Sequence, residues 1–256
     1  MNYRAAPIRG QRLEAVGGPK DDRSQAPVMN GTGTLGTAPP VIALGSSCRR
    51  HGKRGMAMSS DVTLRGLLGL GEEPAALRDS ALIMIDCQNT YRRGVMQLEG
   101  AEDAFAEAAR VLARARASGV PVFHIMHDAG QGSPYDITAE IGQISSEVAP
   151  AAGEPVVVKH YPSSFFQTDL GSQLEKTGRH DLVLAGFMTH MCVSSTARDA
   201  FNLGYRPTIV ASATATRELP VPGGVPVPAM TLQSATLAGI ADLFALVVGE
   251  PEDLPG

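Results

Sequence analysis

The chain has 256 residues, a hydrophobic fraction of 43% and a formal net charge of −4, values typical of one ordinary globular domain with an additional tail. No apolar run approaches the roughly 18 residues that a membrane-spanning helix needs, so no membrane partner is predicted. Three cysteines, an odd number at no metal-binding spacing, indicate a reducing compartment and hence a cytoplasmic protein.

The charge is unevenly distributed along the chain. Residues 1–60 carry nine Lys and Arg side chains against three acidic ones, whereas the remainder carries 13 basic and 23 acidic residues. An acidic body offers no broad surface for nucleic acid, so the predicted partner is a small-molecule substrate rather than nucleic acid.

Residues 1–58 are rich in Gly, Pro, Ser and Arg and show no amphipathic period, so they are predicted to form a disordered basic tail. Two alternatives stay open for this segment. It is an organelle transit peptide, or translation begins at Met56 or Met58 and the tail is not made. The folded domain is predicted over residues 59–250, and residues 251–256 are predicted to be a C-terminal tail.

Strands and helices alternate along the predicted domain. Strands are predicted at residues 81–86, 120–126, 156–159, 182–185, 206–211 and 244–248. Helices are predicted at residues 62–70, 102–117, 169–176, 190–203 and 230–241, with long loops at 128–154 and 213–228. Strands this apolar are typical of parallel sheets covered on both faces. The alternation predicts a doubly wound α/β fold, with a mostly parallel six-stranded sheet and helices on both faces.

Three chemically complementary side chains stand at predicted strand ends. Asp86 ends the first strand, Lys159 ends the third, and Cys192 follows the fourth after Gly186 and a short turn. Ligands of parallel sheets bind beyond the carboxyl ends of the strands, so we predict that the three open into one crevice. Taken singly, Asp86 is also typical of a turn, Lys159 of a solvated strand end and Cys192 of a small buried hydrophobe.

Cys192 is predicted to lie in the first turn of a helix. The unpaired N–H groups and the dipole of a helix start favour an anion, so the thiol there is predicted to have a lowered pKa. A lowered pKa makes more thiolate, which is the form that attacks a carbonyl carbon.

A wider resemblance rests on three blocks of sequence. They are residues 85–89 (IDCQN), Lys159 with residues 163–165 (SSF) and 168–170 (TDL), and residues 186–193 (GFMTHMCV). Over residues 78–248 the chain resembles the isochorismatase-like cysteine hydrolases, in particular their amidohydrolase branch. The resemblance implies an isochorismatase-like fold, a catalytic set of Asp86, Lys159 and Cys192, and a homo-oligomer, since relatives are usually dimers or larger.

On this resemblance the predicted mechanism is acyl transfer to Cys192, through a thioester, followed by hydrolysis. Asp86 accepts the thiol proton and passes it to the leaving nitrogen, and Lys159 keeps Asp86 ionised and oriented. The backbone N–H groups of Met188 and Cys192 form the oxyanion hole. The resemblance also implies a cis peptide bond between Phe187 and Met188.

No cofactor is predicted, and the site is predicted to be metal-free. Nicotinamidases, relatives within this family, hold a zinc or iron ion with an Asp-x-His pair and a further His. This chain has His124 and His127 but no Asp-x-His after the first helix, and two such histidines are more typical of hydrogen-bonding residues. The presence of Cys192 favours cleavage of a C–N bond.

The predicted substrate is a small amide, ureide or lactam. Residues flanking the catalytic set suggest a flat or partly apolar ligand, and those predicted to bind it are Gln88, Tyr91, Tyr161, Phe165, Phe187 and His190. No arginine is marked by the sequence as a carboxylate-binding residue. Two alternatives stay open: an isochorismatase-type hydrolase that cleaves a vinyl ether with Asp86, and a catalytically idle binding or assembly module.

Overall fold

The computed structural model describes residues 62–256, which contain a single six-stranded sheet. Its strands are β1 (Ser80–Ile85), β2 (Val122–His127), β3 (Val156–Lys159), β4 (Asp181–Phe187), β5 (Arg206–Ala215) and β6 (Leu246–Val248). Their order is β3-β2-β1-β4-β5-β6, and every neighbouring pair is parallel. The predicted doubly wound α/β class is therefore confirmed, with a sheet that is parallel throughout. The tail predicted over residues 1–58 lies outside the described residues.

Helices lie on both faces of the sheet. They are α1 (Leu64–Leu67), α2 (Ala101–Ala117), α3 (Leu170–Thr177), α4 (Ser194–Asn202) and α5 (Ala229–Ala241). One hydrophobic cluster joins α2 to sheet residues that include Leu82 and Met84, and a second joins α3, α4 and α5 to residues that include Ile83 and Ile85. Successive residues of a strand point to opposite faces, so α2 covers one face and α3, α4 and α5 cover the second. Within residues 62–256, no helix is long and apolar enough to cross a membrane.

The strand β5 is longer than the sequence pattern predicts, because it continues past residue 211 to Ala215. Its pairing with β4 shifts register between Leu184 and Gly186, and the two strands then run on together until Phe187 lies beside Ala215. The added residues alternate Ser and Thr with Ala, a composition too polar to predict a buried strand. The extension carries the chain to the carboxyl edge of the sheet, where Asp86 lies.

Residues 251–256, which the sequence pattern separates as a C-terminal tail, lie against the domain. Pro251–Asp253 form a turn of 3₁₀ helix, and Pro251 and Leu254 are buried. The carbonyl of Pro255 accepts a hydrogen bond from the backbone N–H of Leu77. The segment therefore closes the end of the hydrophobic cluster beneath α2.

Gly186 sets how closely β4 approaches β1. Its φ is +123°, and a Cβ added there would lie 1.9 Å from the carbonyl oxygen of Ile85. Only glycine fits a backbone of this shape at this separation. The close approach brings the end of β4, and the turn that follows it, beside Asp86.

We expect Gly186→Ala to lower the free energy of unfolding by more than about 3 kcal/mol, because the unfavourable φ and the contact with Ile85 both oppose the methyl group. Gly171→Ala in α3 is the matched control, since a Cβ there meets nothing within 4 Å. Its expected effect is a gain of about 0.5–1 kcal/mol. Urea unfolding followed by circular dichroism measures both, and similar midpoints for the two variants would contradict the assignment.

Candidate active site

Three predicted site residues meet beyond the carboxyl ends of the strands. The Lys159 ammonium lies 2.8 Å from Asp86 Oδ2 and 3.3 Å from Cys192 Sγ. Asp86 and Lys159 are fully buried, and Cys192 is 5% exposed. Lys159 belongs to the edge strand β3, which is separated from β1 by β2, so its long side chain must cross the end of β2 to reach Asp86. The three side chains at the predicted strand ends therefore form one compact buried group.

The environment of Lys159 favours its charged form. Besides its contacts with Asp86 and Cys192, the ammonium donates a hydrogen bond to the Tyr161 carbonyl at 3.1 Å and lies 3.5 Å from His127 Nδ1. Burial acts to lower the pKa of Lys159, but Asp86 and Cys192 outweigh it and the pKa is raised. The side chain therefore stays a cation between the carboxylate and the thiol.

The backbone at Asp86 adopts a left-handed conformation, with φ of 48°, that few residues other than glycine, Asn and Asp adopt. Its N–H donates to the Ile125 carbonyl, and its own carbonyl accepts from the Gln88 N–H, so the chain turns sharply as it leaves β1. The Lys159 ammonium approaches Oδ2 closely but without hydrogen-bond alignment, and neither carboxylate oxygen has another donor. Asp86 therefore keeps the capacity to accept a proton.

The predicted lowering of the Cys192 pKa is wrong. Burial raises the pKa of this thiol, the Asp86 carboxylate raises it further, and Lys159 acts in the opposite direction without outweighing them. The helix start also differs, because Cys192 lies in a π-helical turn, Thr189–Val193, and α4 begins only at Ser194. At neutral pH the resting residue is therefore a thiol beside a carboxylate.

The turn before Cys192 is compact and begins with a cis peptide bond between Phe187 and Met188, as the resemblance implies. The Met188 carbonyl accepts hydrogen bonds from the backbone N–H groups of Met191 and Val193. These two bonds close the turn, so the backbones of Met188 and Cys192 lie within one short loop beside the thiol.

The six predicted substrate-binding residues do not all face the site. Gln88 is fully buried and holds the backbone: its amide N–H groups donate to the His127 and Gly142 carbonyls, and its oxygen accepts from the His127 N–H. No N–H of Gln88 remains for a substrate. Phe187 is also fully buried, with its ring 4.5 Å from that of Phe105 in the core beneath α2. Both residues support the site from within the fold.

The other four predicted binding residues differ in exposure and in the residues that they contact. The Tyr91 ring is buried against Phe187, and the Tyr161 ring is 44% exposed. Phe165 stacks on Tyr205, which precedes β5 at the opposite edge of the sheet. The His190 ring contacts the Thr216 hydroxyl through Nδ1.

The sequence pattern does not mark two residues that lie near the site. It indicates His127 only as a candidate metal ligand, and Tyr135 lies within the long loop 128–154. The Tyr135 ring meets those of Tyr91 and His127 edge-on, at 5.8 and 4.9 Å between ring centres. The pKa of Tyr135 is raised to about 12, mainly by burial and further by the charges of Cys192 and Asp86. A hydrogen bond with Tyr91 acts in the opposite direction.

The loop that carries Tyr135 is held in a defined conformation. The Asp136 carboxylate accepts hydrogen bonds from the backbone N–H groups of Gly132 and Thr138 and from the Thr138 hydroxyl. Gly142 lies so close to the Asp136 carbonyl that an added Cβ would be 2.1 Å from the oxygen. These contacts hold the loop in the conformation that places the Tyr135 ring against the rings of Tyr91 and His127.

The two histidines weighed as metal ligands have other contacts. His124 is buried with its Nε2 2.8 Å from Glu154, and His127 lies beside Lys159. No group of three or more His, Cys, Asp or Glu side chains that could hold a metal ion occurs within residues 62–256.

Known proteins are similar to this chain in fold and in sequence. Residues 80–247 match the family model for the isochorismatase domain. The secreted isochorismatase effector Isc1 of Verticillium dahliae is 34% identical over 191 residues, which cover 74% of this chain and 98% of that protein. The crystal structure of an isochorismatase from Pseudomonas putida KT2440 has a TM-score of 0.73 at 38% identity, covering 75% of this chain and 98% of that one. The ureidoacrylate amidohydrolase RutB of Variovorax paradoxus is 33% identical over 180 residues, which cover 56% of this chain and 71% of that protein.

Proposed function

The chain is a hydrolase that belongs to the isochorismatase family, and we propose that it cleaves a C–N bond of a small amide, ureide or lactam with Cys192 as nucleophile. The observation that carries the proposal is the position of the Lys159 ammonium, 2.8 Å from Asp86 Oδ2 and 3.3 Å from Cys192 Sγ. A base, a cation and a thiol within one side chain's reach are the groups that acyl transfer requires. The name of the relative RutB, an amidohydrolase, supports C–N cleavage over cleavage of a vinyl ether.

The first half of the proposed reaction forms a thioester. Asp86, whose carboxylate charge acts on the Cys192 thiol, takes the thiol proton as the sulfur attacks the substrate carbonyl carbon. The negative oxygen of the tetrahedral intermediate is held by the backbone N–H groups of Met188 and Cys192. Asp86 then gives its proton to the nitrogen and the C–N bond breaks. Ammonia or an amine leaves from an amide or ureide, whereas a lactam ring opens and its amine stays attached to the acyl chain.

The second half consumes one water molecule. Asp86 takes a proton from the water molecule while the water oxygen attacks the thioester carbon. The carbon–sulfur bond then breaks. The proton returns to the Cys192 sulfur, and the acid product leaves. Lys159 keeps its proton throughout, because the ammonium offsets the negative charge of Asp86 or of the departing thiolate within the buried site.

The raised pKa of Cys192 agrees with this division of labour. A thiol that is protonated at rest needs a base near it at the moment of attack, and Asp86 is the carboxylate whose charge acts on it. A preformed thiolate would leave Asp86 without a proton to pass to the leaving nitrogen. The resting thiol therefore supplies the proton that the leaving group takes up.

The proposal is tested by Cys192→Ala, with Cys87→Ala as the matched control. Cys87 is also buried and directly follows Asp86, but burial and the Asp86 charge raise its pKa and no cation is near it. Ammonia or amine release is measured over a panel of amides and ureides, and ring opening is measured by mass spectrometry over a panel of lactams. We expect Cys192→Ala to lose at least about 10⁴-fold in turnover and Cys87→Ala to retain it.

Three outcomes are distinguished by this experiment. Loss in Cys192→Ala, together with a thioester mass on the Cys192 peptide after acid quenching of the wild type, supports the proposal. Turnover that survives in Cys192→Ala overturns it in favour of an isochorismatase-type hydrolase that uses Asp86. A wild type that hydrolyses no member of the panel overturns it in favour of an idle binding module.

We also propose that the enzyme is a homo-oligomer in a reducing, cytoplasmic setting. Met230 in α5 is 77% exposed and Val225 in the preceding loop is 86% exposed, and a second copy that covered them would remove apolar surface from water. Cys87 and Cys192 are both free thiols, and the mechanism requires the latter to stay reduced. Light scattering that showed the purified protein to be a monomer would contradict the proposed homo-oligomer. Microscopy that showed a fluorescent fusion to be exported would contradict the proposed cytoplasmic setting.

A further inference from the structure

His127 stands where the long Lys159 side chain crosses the end of β2. It is the last residue of that strand, and it pairs directly with Lys159 in the parallel register of β2 with β3. The His127 ring meets the Tyr135 ring edge-on, with 4.9 Å between their centres, and His127 Nδ1 lies 3.5 Å from the Lys159 ammonium. The imidazole therefore forms one side of the space that the ammonium occupies.

The backbone of His127 is held by a single buried side chain. The amide of Gln88 donates to the His127 carbonyl and accepts from the His127 N–H, each at 2.9 Å. Gln88 also donates to the Gly142 carbonyl, so its amide is itself fixed in direction. Two hydrogen bonds to the backbone, and the Tyr135 ring against the imidazole, keep His127 turned toward Lys159.

The Lys159 ammonium has three N–H donors and no acceptor. Three atoms lie within hydrogen-bond distance of it: the Tyr161 carbonyl oxygen at 3.1 Å, Cys192 Sγ at 3.3 Å and His127 Nδ1 at 3.5 Å. The Asp86 carboxylate, at 2.8 Å, balances the charge without aligning with an N–H. Each N–H therefore has one acceptor, and His127 supplies the one that is neither backbone nor a reacting atom.

The His127 imidazole is neutral at pH 7 and so has a ring nitrogen free to accept. Burial lowers the pKa of His127 and the Lys159 charge lowers it further, while Asp86 acts in the opposite direction without outweighing them. A neutral imidazole carries one proton, so an Nδ1 that accepts from Lys159 requires that proton to be on Nε2. The contact therefore fixes the tautomer of the ring as well as its direction.

We propose that His127 is a positioning residue for the hydrolysis: its Nδ1 accepts one N–H of the Lys159 ammonium and thereby directs another N–H at the Cys192 sulfur. The inference rests on the proposed function. With one N–H held by His127 and one by the Tyr161 carbonyl, the tetrahedral nitrogen has its third N–H toward Sγ. Negative charge develops on that sulfur when the thioester is hydrolysed, and a donor aimed at it in advance stabilises the charge without reorganisation. His127 acts through Lys159 rather than on the substrate.

The test compares His127→Asn with His127→Leu, two side chains of similar size and the same branching. Asn carries an oxygen acceptor as many bonds from Cα as Nδ1, and Leu carries a methyl group there. The control is His160→Leu, because His160 directly follows Lys159 but is exposed, with its Nδ1 2.9 Å from the Asp128 carbonyl oxygen. Both kcat and KM are measured with the panel amide or ureide that the wild type hydrolyses fastest. Nitrogen-15 NMR of the imidazoles locates the proton of His127, whose signals are those that His127→Asn lacks.

We expect His127→Leu to lose about five- to tenfold in kcat with little change in KM, because the lost hydrogen bond acts on charge that develops at the sulfur. His127→Asn should keep most of kcat, and His160→Leu all of it. In the wild type the proton should be on Nε2. The Nδ1 signal should shift when the ammonium is removed in the double variant Lys159→Met/Asp86→Asn.

Equal kcat in His127→Asn and His127→Leu overturns the inference, as does a rise in KM alone. A proton on Nδ1 in the wild type, or an Nδ1 signal that the double variant leaves in place, overturns it as well, and this result needs no folded His127→Leu. A wild type that hydrolyses no member of the panel contradicts the proposed function. The NMR signals then show whether the contact between His127 and Lys159 exists without that function, so the two failures are distinguishable.

Discussion

Replacing Asp86 with Asn is expected to move two properties of Cys192 in opposite directions. Turnover should fall by about 10²–10⁴-fold, because a carboxamide cannot take the thiol proton and return it to the leaving nitrogen. Alkylation of Cys192 by iodoacetamide at pH 7 should become faster. Burial and the Asp86 carboxylate raise the pKa of this thiol while Lys159 lowers it, so removing the carboxylate leaves the lowering charge less opposed.

The measurement is peptide mapping by mass spectrometry after timed alkylation, run beside the turnover assay. In the wild type the rate should be slow at pH 7 and should still be rising at pH 9, since the thiol is protonated across that range. Asp103→Asn, on the exposed surface of α2, is the control and should change neither property. Slower alkylation of Cys192 in Asp86→Asn would show that the carboxylate does not hold the thiol proton.

Replacing Lys159 with Met is expected to remove both activity and much of the stability. Asp86 is fully buried, and no other donor is aligned with its carboxylate oxygens, so the variant leaves an uncompensated charge in the interior. Breaking a buried ion pair on one side costs about 3–5 kcal/mol. Chemical denaturation measures this loss, and Lys176→Met on the exposed side of α3 should change the unfolding free energy by less than about 0.5 kcal/mol.

The double variant Lys159→Met/Asp86→Asn separates the two roles of the pair. Removing both charges takes away the uncompensated carboxylate, so most of the lost unfolding free energy should return, while turnover should stay absent. Losses in stability that simply add in the double variant would contradict an ion pair between these two side chains. Recovered turnover would contradict the role of Asp86 as the base.

The candidate catalytic set was accessible from the sequence because its members follow strands. Strands such as residues 81–85 and 156–158 are so apolar that a charged residue directly after them has to mark a strand end, and parallel strands bring their ends to one edge. That reasoning, together with the three matching blocks, predicts from the sequence that Asp86, Lys159 and Cys192 lie close to one another. The structure places Asp86 at ion-pair distance and Cys192 at hydrogen-bond distance from the Lys159 ammonium.

Other site residues were beyond the reach of sequence patterns. Tyr135 lies in a loop whose path is set by Asp136 and Gly142, and nothing periodic in the loop marks which side chain turns inward. Gln88 and Phe187 illustrate the converse, because they stand beside site residues along the chain and yet point into the fold.

Sequence alone determined the fold class and the three chemically complementary side chains of this protein, because apolar strands, and their alternation with helices, are recognisable within each segment of the chain. Tertiary structure alone decided the protonation of Cys192 and the surroundings of the thiol. A helix start by itself favours a thiolate, but the pKa depends on every charge and every layer of solvent removed around the sulfur. Those distances exist only once β1, β3 and β4 lie side by side, and there the burial of Cys192 and the carboxylate of Asp86 outweigh the ammonium of Lys159.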